Sequence, residues 1–265
     1  MQNDIPAPKR NRGIYLLPNL LTTGALFSGF YAIISAFGGH FRMAAVCIFL
    51  AMILDSLDGR VARMTNTQSL FGAEYDSLSD MVAFGVAPAI MMYLWSLSHL
   101  GKFGWLIVFM YVACTALRLA RFNTQVNNAD KRYFQGLPCP SAAAVMAATI
   151  WIGNEFHLPA DFWVISWSVL VTVFMALLMV SRVRYYSFKE FDVRGKVPFV
   201  AVLVIVALFV AIAIDPPELL FLGFSLYALS GPLLTLLQLR KRRRARRRQE
   251  AQGQTIGIKK PNSDE

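Results

Sequence analysis

The chain has 265 residues, of which 56% are hydrophobic and 16% are charged, and its formal net charge is +10. These proportions favour a polytopic membrane protein and argue against a soluble domain. The three cysteines, Cys47, Cys114 and Cys139, are odd in number and scattered, which argues against a disulfide framework or a zinc site.

Eight apolar stretches are long enough, or nearly so, to cross a hydrocarbon core of about 30 Å, which takes roughly 20 helical residues. They lie near 14–36, 43–62, 70–96, 104–122, 139–156, 161–180, 197–214 and 218–239. Backbone polar groups cannot be left unpaired in lipid, so continuous apolar runs of this length predict helices. We expect an all-α polytopic membrane protein with about eight transmembrane helices.

The basic residues predict that both termini are cytoplasmic. In that orientation only Arg42 and Lys102, of 26 Lys and Arg residues, lie outside. This asymmetry follows the positive-inside rule. We therefore expect a multi-pass protein in this orientation, and we assign it to the cell (inner) membrane. Residues 1–13 read as a polar cytoplasmic lead-in.

Four aspartates lie at the predicted inner ends of the second and third helices, where each charge costs about 2.5 to 3.5 kcal/mol if it is uncompensated. One helical stripe comprises Asp55, Asp58, Gly59 and Ala62, and another comprises Gly72, Asp76 and Asp80. A cytoplasmic turn between Arg63 and Gly72 would let these stripes face each other. Converging carboxylates suit Mg²⁺ or Mn²⁺, and Arg63 adds a group that pairs with phosphate. The alternative is a set of helix-end charges that pair with Arg60 and Arg63.

These residues match every fixed position of the signature D-x2-D-G-x2-A-R-x8-G-x3-D-x3-D, and the chain therefore resembles the CDP-alcohol phosphotransferase family. The resemblance implies that a CDP-linked lipid binds between the two helices. It implies metal ligands at Asp55, Asp58, Asp76 and Asp80, a catalytic base at Asp80, and nucleotide contacts at Gly59, Ala62, Arg63 and Gly72. The string "PNLLT" is similar to a weaker family feature, which adds Asn19 and Thr22 to the nucleotide contacts.

The chemistry of such a transfer needs charge neutralisation and a general base. All three histidines, His40, His99 and His157, fall at predicted outer loops. A carboxylate is therefore the available base.

A second cluster suggests the acceptor alcohol. The strings "LRLARFNTQ", "FQGLPCPSAAA" and "EYDSLSDMVAFGVAP" resemble the serine-accepting branch of the family. That resemblance implies that CDP-diacylglycerol and L-serine give phosphatidylserine and CMP. Serine carries a carboxylate that arginine can bind, so the acceptor contacts are expected at Arg118, Arg121 and Asn123.

The resemblance covers residues 14–190, a helical core. Residues 191–239 are expected to add two more transmembrane helices, and 240–265 to form a basic, disordered cytoplasmic tail. The tail's charges are expected to anchor topology and attract anionic lipid. Nucleic-acid binding is not expected, because no aromatic reading surface accompanies them. The resemblance also implies a homodimer.

Two other functions stay open at this point. The same chemistry could use another acceptor, glycerol 3-phosphate or inositol. From a different class, a cation transporter could coordinate its ion with intramembrane aspartates. Clustering of the aspartates at one face, rather than along a path, favours the enzyme.

Overall fold

The computed structural model describes residues 16–125, 133–186 and 214–257, with single residues at 203, 206, 207 and 210. In the last helix, side chains are described as far as residue 236. Most of the seventh predicted span, 197–214, lies outside the described residues, as does the lead-in 1–13. The described part is helical apart from one short two-stranded ribbon.

The helices follow the predicted apolar stretches closely, except that the last helix continues to Gly257, past the predicted end at 239 and into the segment expected to be disordered. They are α1 (Leu16–Phe37), α2 (Phe41–Met64), α3 (Leu70–Asp80), α4 (Ala87–Trp95), α5 (Lys102–Gln125), α6 (Cys139–Glu155), α7 (Phe162–Val180) and α8 (Pro216–Gly257). A π-helical turn, Met81–Val86, joins α3 to α4, and a short 3₁₀ turn, Leu97–Leu100, follows α4. The predicted third span is therefore continuous but not a regular α-helix.

Among the described residues, five helices are long and apolar enough to cross a membrane. They are Leu16–Phe37, Leu70–Trp95, Lys102–Thr124, Phe162–Val180 and Pro216–Leu236. The helix α2 carries the charged motif at its end, and α6 has only 17 residues. The protein is thus a helical membrane protein, whereas eight spans and cytoplasmic termini stay predictions.

Small side chains bring α1 and α2 close together. On α1 the buried residues include Ala25, Gly29 and Ala32, and on α2 they include Ala44 and Ala51. Without Cβ branches the two backbones approach closely, which is how helices gain packing energy in a membrane. This pair forms one wall of the bundle.

The helix α6 lies at the centre of the bundle. Its residues from Ser141 to Trp151 are all buried, and it packs against α2, α4, α7 and α8. A helix that is apolar all round belongs in an interior. Its N-terminus, at Cys139, lies at the same end of the bundle as the aspartates.

The ribbon was not predicted. Its strands are β1 (Tyr133–Gln135) and β2 (Arg184–Tyr186), paired antiparallel with Phe134 opposite Tyr185. The strands follow α5 and α7, so the ribbon ties together the ends of these two helices. Next to it, Gly136 has φ of +82°, and a Cβ there would lie 2.2 Å from the Met179 carbonyl oxygen, so this position requires glycine.

Candidate active site

Three aspartates converge at one end of the bundle. Asp55 lies on α2, and Asp76 and Asp80 lie on α3; one carboxylate oxygen from each lies within 4.8 Å of the other two. All three residues are half-buried. The two predicted stripes therefore face each other at these positions. Carboxylate oxygens are the ligands that hard divalent cations prefer, so this group can hold a divalent metal ion.

Asp58 is placed differently from the other three aspartates. It is 5% exposed, and its Oδ2 atom accepts a hydrogen bond of 2.6 Å from Thr22 Oγ1 of α1. Thr22 is itself 4% exposed. The group of three does not include Asp58, whose carboxylate is oriented by a neutral hydroxyl from the first helix.

The first helix also contacts α3. Ser79 Oγ donates to the Thr22 carbonyl oxygen at 3.1 Å. A Cβ on Gly72 would lie 3.7 Å from Asn19 Oδ1. The residue numbers rise together along both helices, so α1 and α3 run parallel. The two residues predicted from "PNLLT" thus lie beside the motif.

The remaining motif positions line the end of α2. Gly59 and Ala62 are half-buried, and Arg63 is exposed in the last turn. A Cβ on Gly59 would lie 3.7 Å from Arg63 Nη1. Residues 65–69 connect α2 to α3, and the Ser69 hydroxyl caps α3 by accepting from the Gly72 N–H at 3.0 Å.

Arg118 of α5 lies beside the aspartates. Its guanidinium interacts electrostatically with Asp80, and its Nη1 donates to Cys139 Sγ at 3.0 Å. Its Nε is buried and has no hydrogen-bond partner among the described residues. A buried guanidinium N–H without a partner favours an acceptor at this point.

The other two predicted acceptor residues have partners of their own. Arg121 Nη2 donates to Gln135 Oε1 of the ribbon. Asn123 Nδ2 donates to Ser77 Oγ at 3.1 Å on α3. Of the three candidates, Arg118 is therefore the one placed to meet a substrate next to Asp80.

A π-helical turn directly after Asp80 was missed by sequence reasoning. Its C-terminal N–H, on Ala87, donates to the Val82 carbonyl, five residues earlier. Pro88 has no N–H and cannot donate to the Phe84 carbonyl four residues before it. The Tyr111 hydroxyl of α5 donates to that carbonyl at 3.1 Å. Pro88 was the signal in the sequence that could have indicated this irregularity.

The histidines lie away from the aspartates. His40 precedes α2, whose far end carries the motif, and His157 follows α6, whose N-terminus lies near Asp80. His99 lies in the 3₁₀ turn after α4, at the far end of the span that begins with α3. A carboxylate is thus the base that the described part of the site offers.

Together, the fold and the site define a helical membrane protein with an acidic cluster at one end of the bundle that could hold a cation. A CDP-alcohol phosphatidyltransferase family model matches residues 15–174, more than half of the chain. The chain belongs to this family.

Curated relatives match most of the chain. A CDP-diacylglycerol–serine O-phosphatidyltransferase of Helicobacter pylori is 38% identical over 221 residues, which are 82% of this chain and 90% of the relative. One of the same name from Mycobacterium tuberculosis is 34% identical over 224 residues, 82% of this chain and 77% of the relative. An archaetidylserine synthase of Methanothermobacter thermautotrophicus is 34% identical over 190 residues, 70% of this chain and 74% of the relative.

Proposed function

We propose that this protein transfers the phosphatidyl group of CDP-diacylglycerol to the hydroxyl of L-serine, giving phosphatidylserine and CMP. The observation that carries the proposal is the convergence of Asp55, Asp76 and Asp80. The bacterial and archaeal relatives differ in the lipid that their names give, yet both names contain serine. The serine that both names contain supports serine as the acceptor.

Asp55, Asp76 and Asp80 would hold Mg²⁺ or Mn²⁺, and Asp58 would add a ligand through the oxygen that Thr22 does not engage. A bound divalent ion would neutralise charge on the diphosphate as CMP leaves. The donor set fits such an ion because the converging groups are carboxylates. Gly59, Ala62 and Gly72 leave room for the nucleotide along the two stripes, and Arg63 pairs with phosphate at their exposed end.

In the transfer itself, the serine hydroxyl oxygen forms a bond to the lipid-side phosphorus. The bond from that phosphorus to the CMP oxygen breaks, and CMP leaves with the electron pair. Asp80 accepts the hydroxyl proton of serine. Arg118, with its buried Nε free, pairs with the serine carboxylate and holds the hydroxyl near Asp80.

We place the site on the cytoplasmic side of the cell (inner) membrane, because the connection 65–69 joins helix ends that carry the basic residues Arg60 and Arg63. Asn66→Cys puts a thiol in this connection, where Asn66 is exposed. A membrane-impermeant maleimide should label it only in inside-out vesicles. Labelling in right-side-out vesicles would contradict this orientation. The homodimer can be tested by crosslinking in the same vesicles.

The activity is tested in membranes that contain the protein. CMP release from CDP-diacylglycerol is measured with Mg²⁺ or Mn²⁺ and with L-serine, glycerol 3-phosphate or inositol in turn. Of the three alcohols, we expect only serine to give CMP. Removing the metal ion with EDTA should stop CMP release. If CMP is released only with another alcohol, that alcohol would be the acceptor in place of serine. If no CMP is released with any of the three, the proposed function would be contradicted.

A further inference from the structure

Tyr111 is fully buried on α5, and its hydroxyl donates to the Phe84 carbonyl. That carbonyl belongs to the π-helical turn that starts directly after Asp80. In a regular helix its donor would be the N–H of residue 88, which is a proline. Tyr111 therefore gives this carbonyl a donor at the point where Pro88 can give none.

The same arrangement occurs once more among the described residues. In α8, Pro232 cannot donate to the Ala228 carbonyl four residues before it, and the Tyr185 hydroxyl donates to that carbonyl at 2.9 Å. Tyr185 is also fully buried. Burial raises the pKa of the Tyr185 phenol, which keeps it a donor. The two tyrosines thus make the same bond, but only Tyr111 makes it next to Asp80.

Tyr111, Thr115 and Arg118 lie on one face of α5. This face packs along the π-helical turn and Asp80. One turn further on, Thr115 lies against Gly85, where a Cβ would be 3.1 Å from Thr115 Cγ2. Two turns on, Arg118 interacts with Asp80. This face therefore sets how α5 and the π-helical turn are aligned.

The side of the π-helical turn that faces away from α5 packs closely against α1. A Cβ on Gly29 of α1 would lie 2.5 Å from the Ala83 Cα atom, so α1 lies directly against the turn. Because the turn starts directly after Asp80, any shift of the turn would also move Asp80. The contacts with α1 and α5 oppose such a shift. π-Helical turns are frequent at functional sites, because the extra residue changes the direction of the neighbouring side chains.

We propose that Tyr111 is a positioning residue, which holds the π-helical turn so that Asp80 meets Asp55, Asp76 and Arg118 in the correct geometry. This inference rests on the proposed function for its turnover readout, but not for its metal-binding readout. Tyr111 itself touches no reacting atom.

The test compares Tyr111→Phe with Tyr185→Phe in the full-length protein, purified in detergent. Each change removes one buried hydroxyl from a backbone carbonyl, so both should lower the midpoint of thermal unfolding by a similar amount. Tyr111→Phe alone should lower kcat at saturating substrates, by about tenfold for one lost hydrogen bond to a buried carbonyl. The KM for CDP-diacylglycerol should change less than kcat.

Mn²⁺ binding, followed by electron paramagnetic resonance, is the second readout and needs no turnover. Tyr111→Phe should weaken it several-fold, and Tyr185→Phe should leave it unchanged. Equal kcat and equal Mn²⁺ affinity in the two variants would overturn the inference. If the wild type released no CMP with serine, the proposed function would fail, while the Mn²⁺ comparison would still decide the role of Tyr111.

A double-mutant cycle tests the link to Pro88. In Pro88→Ala the restored N–H can donate a hydrogen bond to the Phe84 carbonyl. Tyr111→Phe should therefore lower the midpoint of thermal unfolding less in that background than in the wild type. An equal cost in both backgrounds would show that the Tyr111 hydroxyl does not replace the missing donor.

Discussion

Replacing Thr22 with valine tests whether the first helix orients the carboxylates that we propose as metal ligands. Valine keeps the branched shape of threonine but loses the hydroxyl that donates to Asp58 Oδ2 at 2.6 Å. Because both residues are about 95% buried, water cannot readily replace the lost donor. The perturbation therefore removes the hydrogen bond to the Asp58 carboxylate and a longer one to a backbone carbonyl, and keeps the shape of the side chain.

The magnitude follows from the kind of bond. A hydrogen bond to a charged group contributes about 1.5 to 3 kcal/mol, which corresponds to roughly ten- to a hundredfold in an equilibrium constant. The Thr22 hydroxyl also lies 3.1 Å from the Pro18 carbonyl oxygen, a longer bond. The loss should therefore fall mainly on Asp58 and raise the Mg²⁺ or Mn²⁺ concentration for half-maximal CMP release by about tenfold or more.

The assay is the metal dependence of CMP release, with Thr22→Ser and Thr23→Val as comparison variants. Serine keeps the hydroxyl and should restore most of the metal affinity. Thr23 is exposed, and its hydroxyl bonds to Tyr75 at 2.9 Å instead of to an aspartate, so its replacement should change the half-maximal concentration little. A Thr22→Val protein that folds and keeps the wild-type metal dependence would refute the orienting role of Thr22.

Three further predictions concern the base, the acceptor site and the packing beside the site. Asp80→Asn should abolish CMP release while the protein still inserts in the membrane; normal turnover would exclude Asp80 as the base. Arg118→Lys should raise the KM for serine about tenfold or more and Arg121→Lys much less, because only Arg118 lies beside Asp80; equal effects in the kinetic assay would contradict the assignment. Gly29→Leu should destabilise the protein by at least about 1 to 3 kcal/mol, because the new side chain would overlap the Ala83 backbone. Gly223→Leu, with open space around its Cβ position, should leave the thermal midpoint unchanged; a similar loss in both would contradict the packing explanation.

The extent to which the sequence predicted the site depended on the type of interaction. The positions of Asp55, Asp76 and Asp80 follow from helical periodicity and a short connection, both of which are local properties. Hydrogen bonds between helices far apart in the chain, such as those from Thr22 and Tyr111, have no local signal. Periodicity also assumes a regular helix, so it could not predict the π-helical turn after Asp80.

The secondary-structure elements show the same difference between local signals and contacts that are distant in the chain. Six of the eight predicted stretches match whole described helices within a few residues, because apolar length is set by the hydrocarbon core. The ribbon was missed because its strands have three residues each and pair segments about 50 residues apart. So short a pairing leaves no periodicity to detect.

The position of the first helix explains why its weak sequence signal matters. Thr22 bonds to Asp58 of α2 through its side chain and to Ser79 of α3 through its carbonyl oxygen. A single residue of α1 therefore contacts both helices that carry the aspartates. The distance between the two acidic stripes depends on this shared neighbour as well as on the connection 65–69. In the proposed site the motif would supply the ligands, and α1 would hold them at the separation that a bound cation needs.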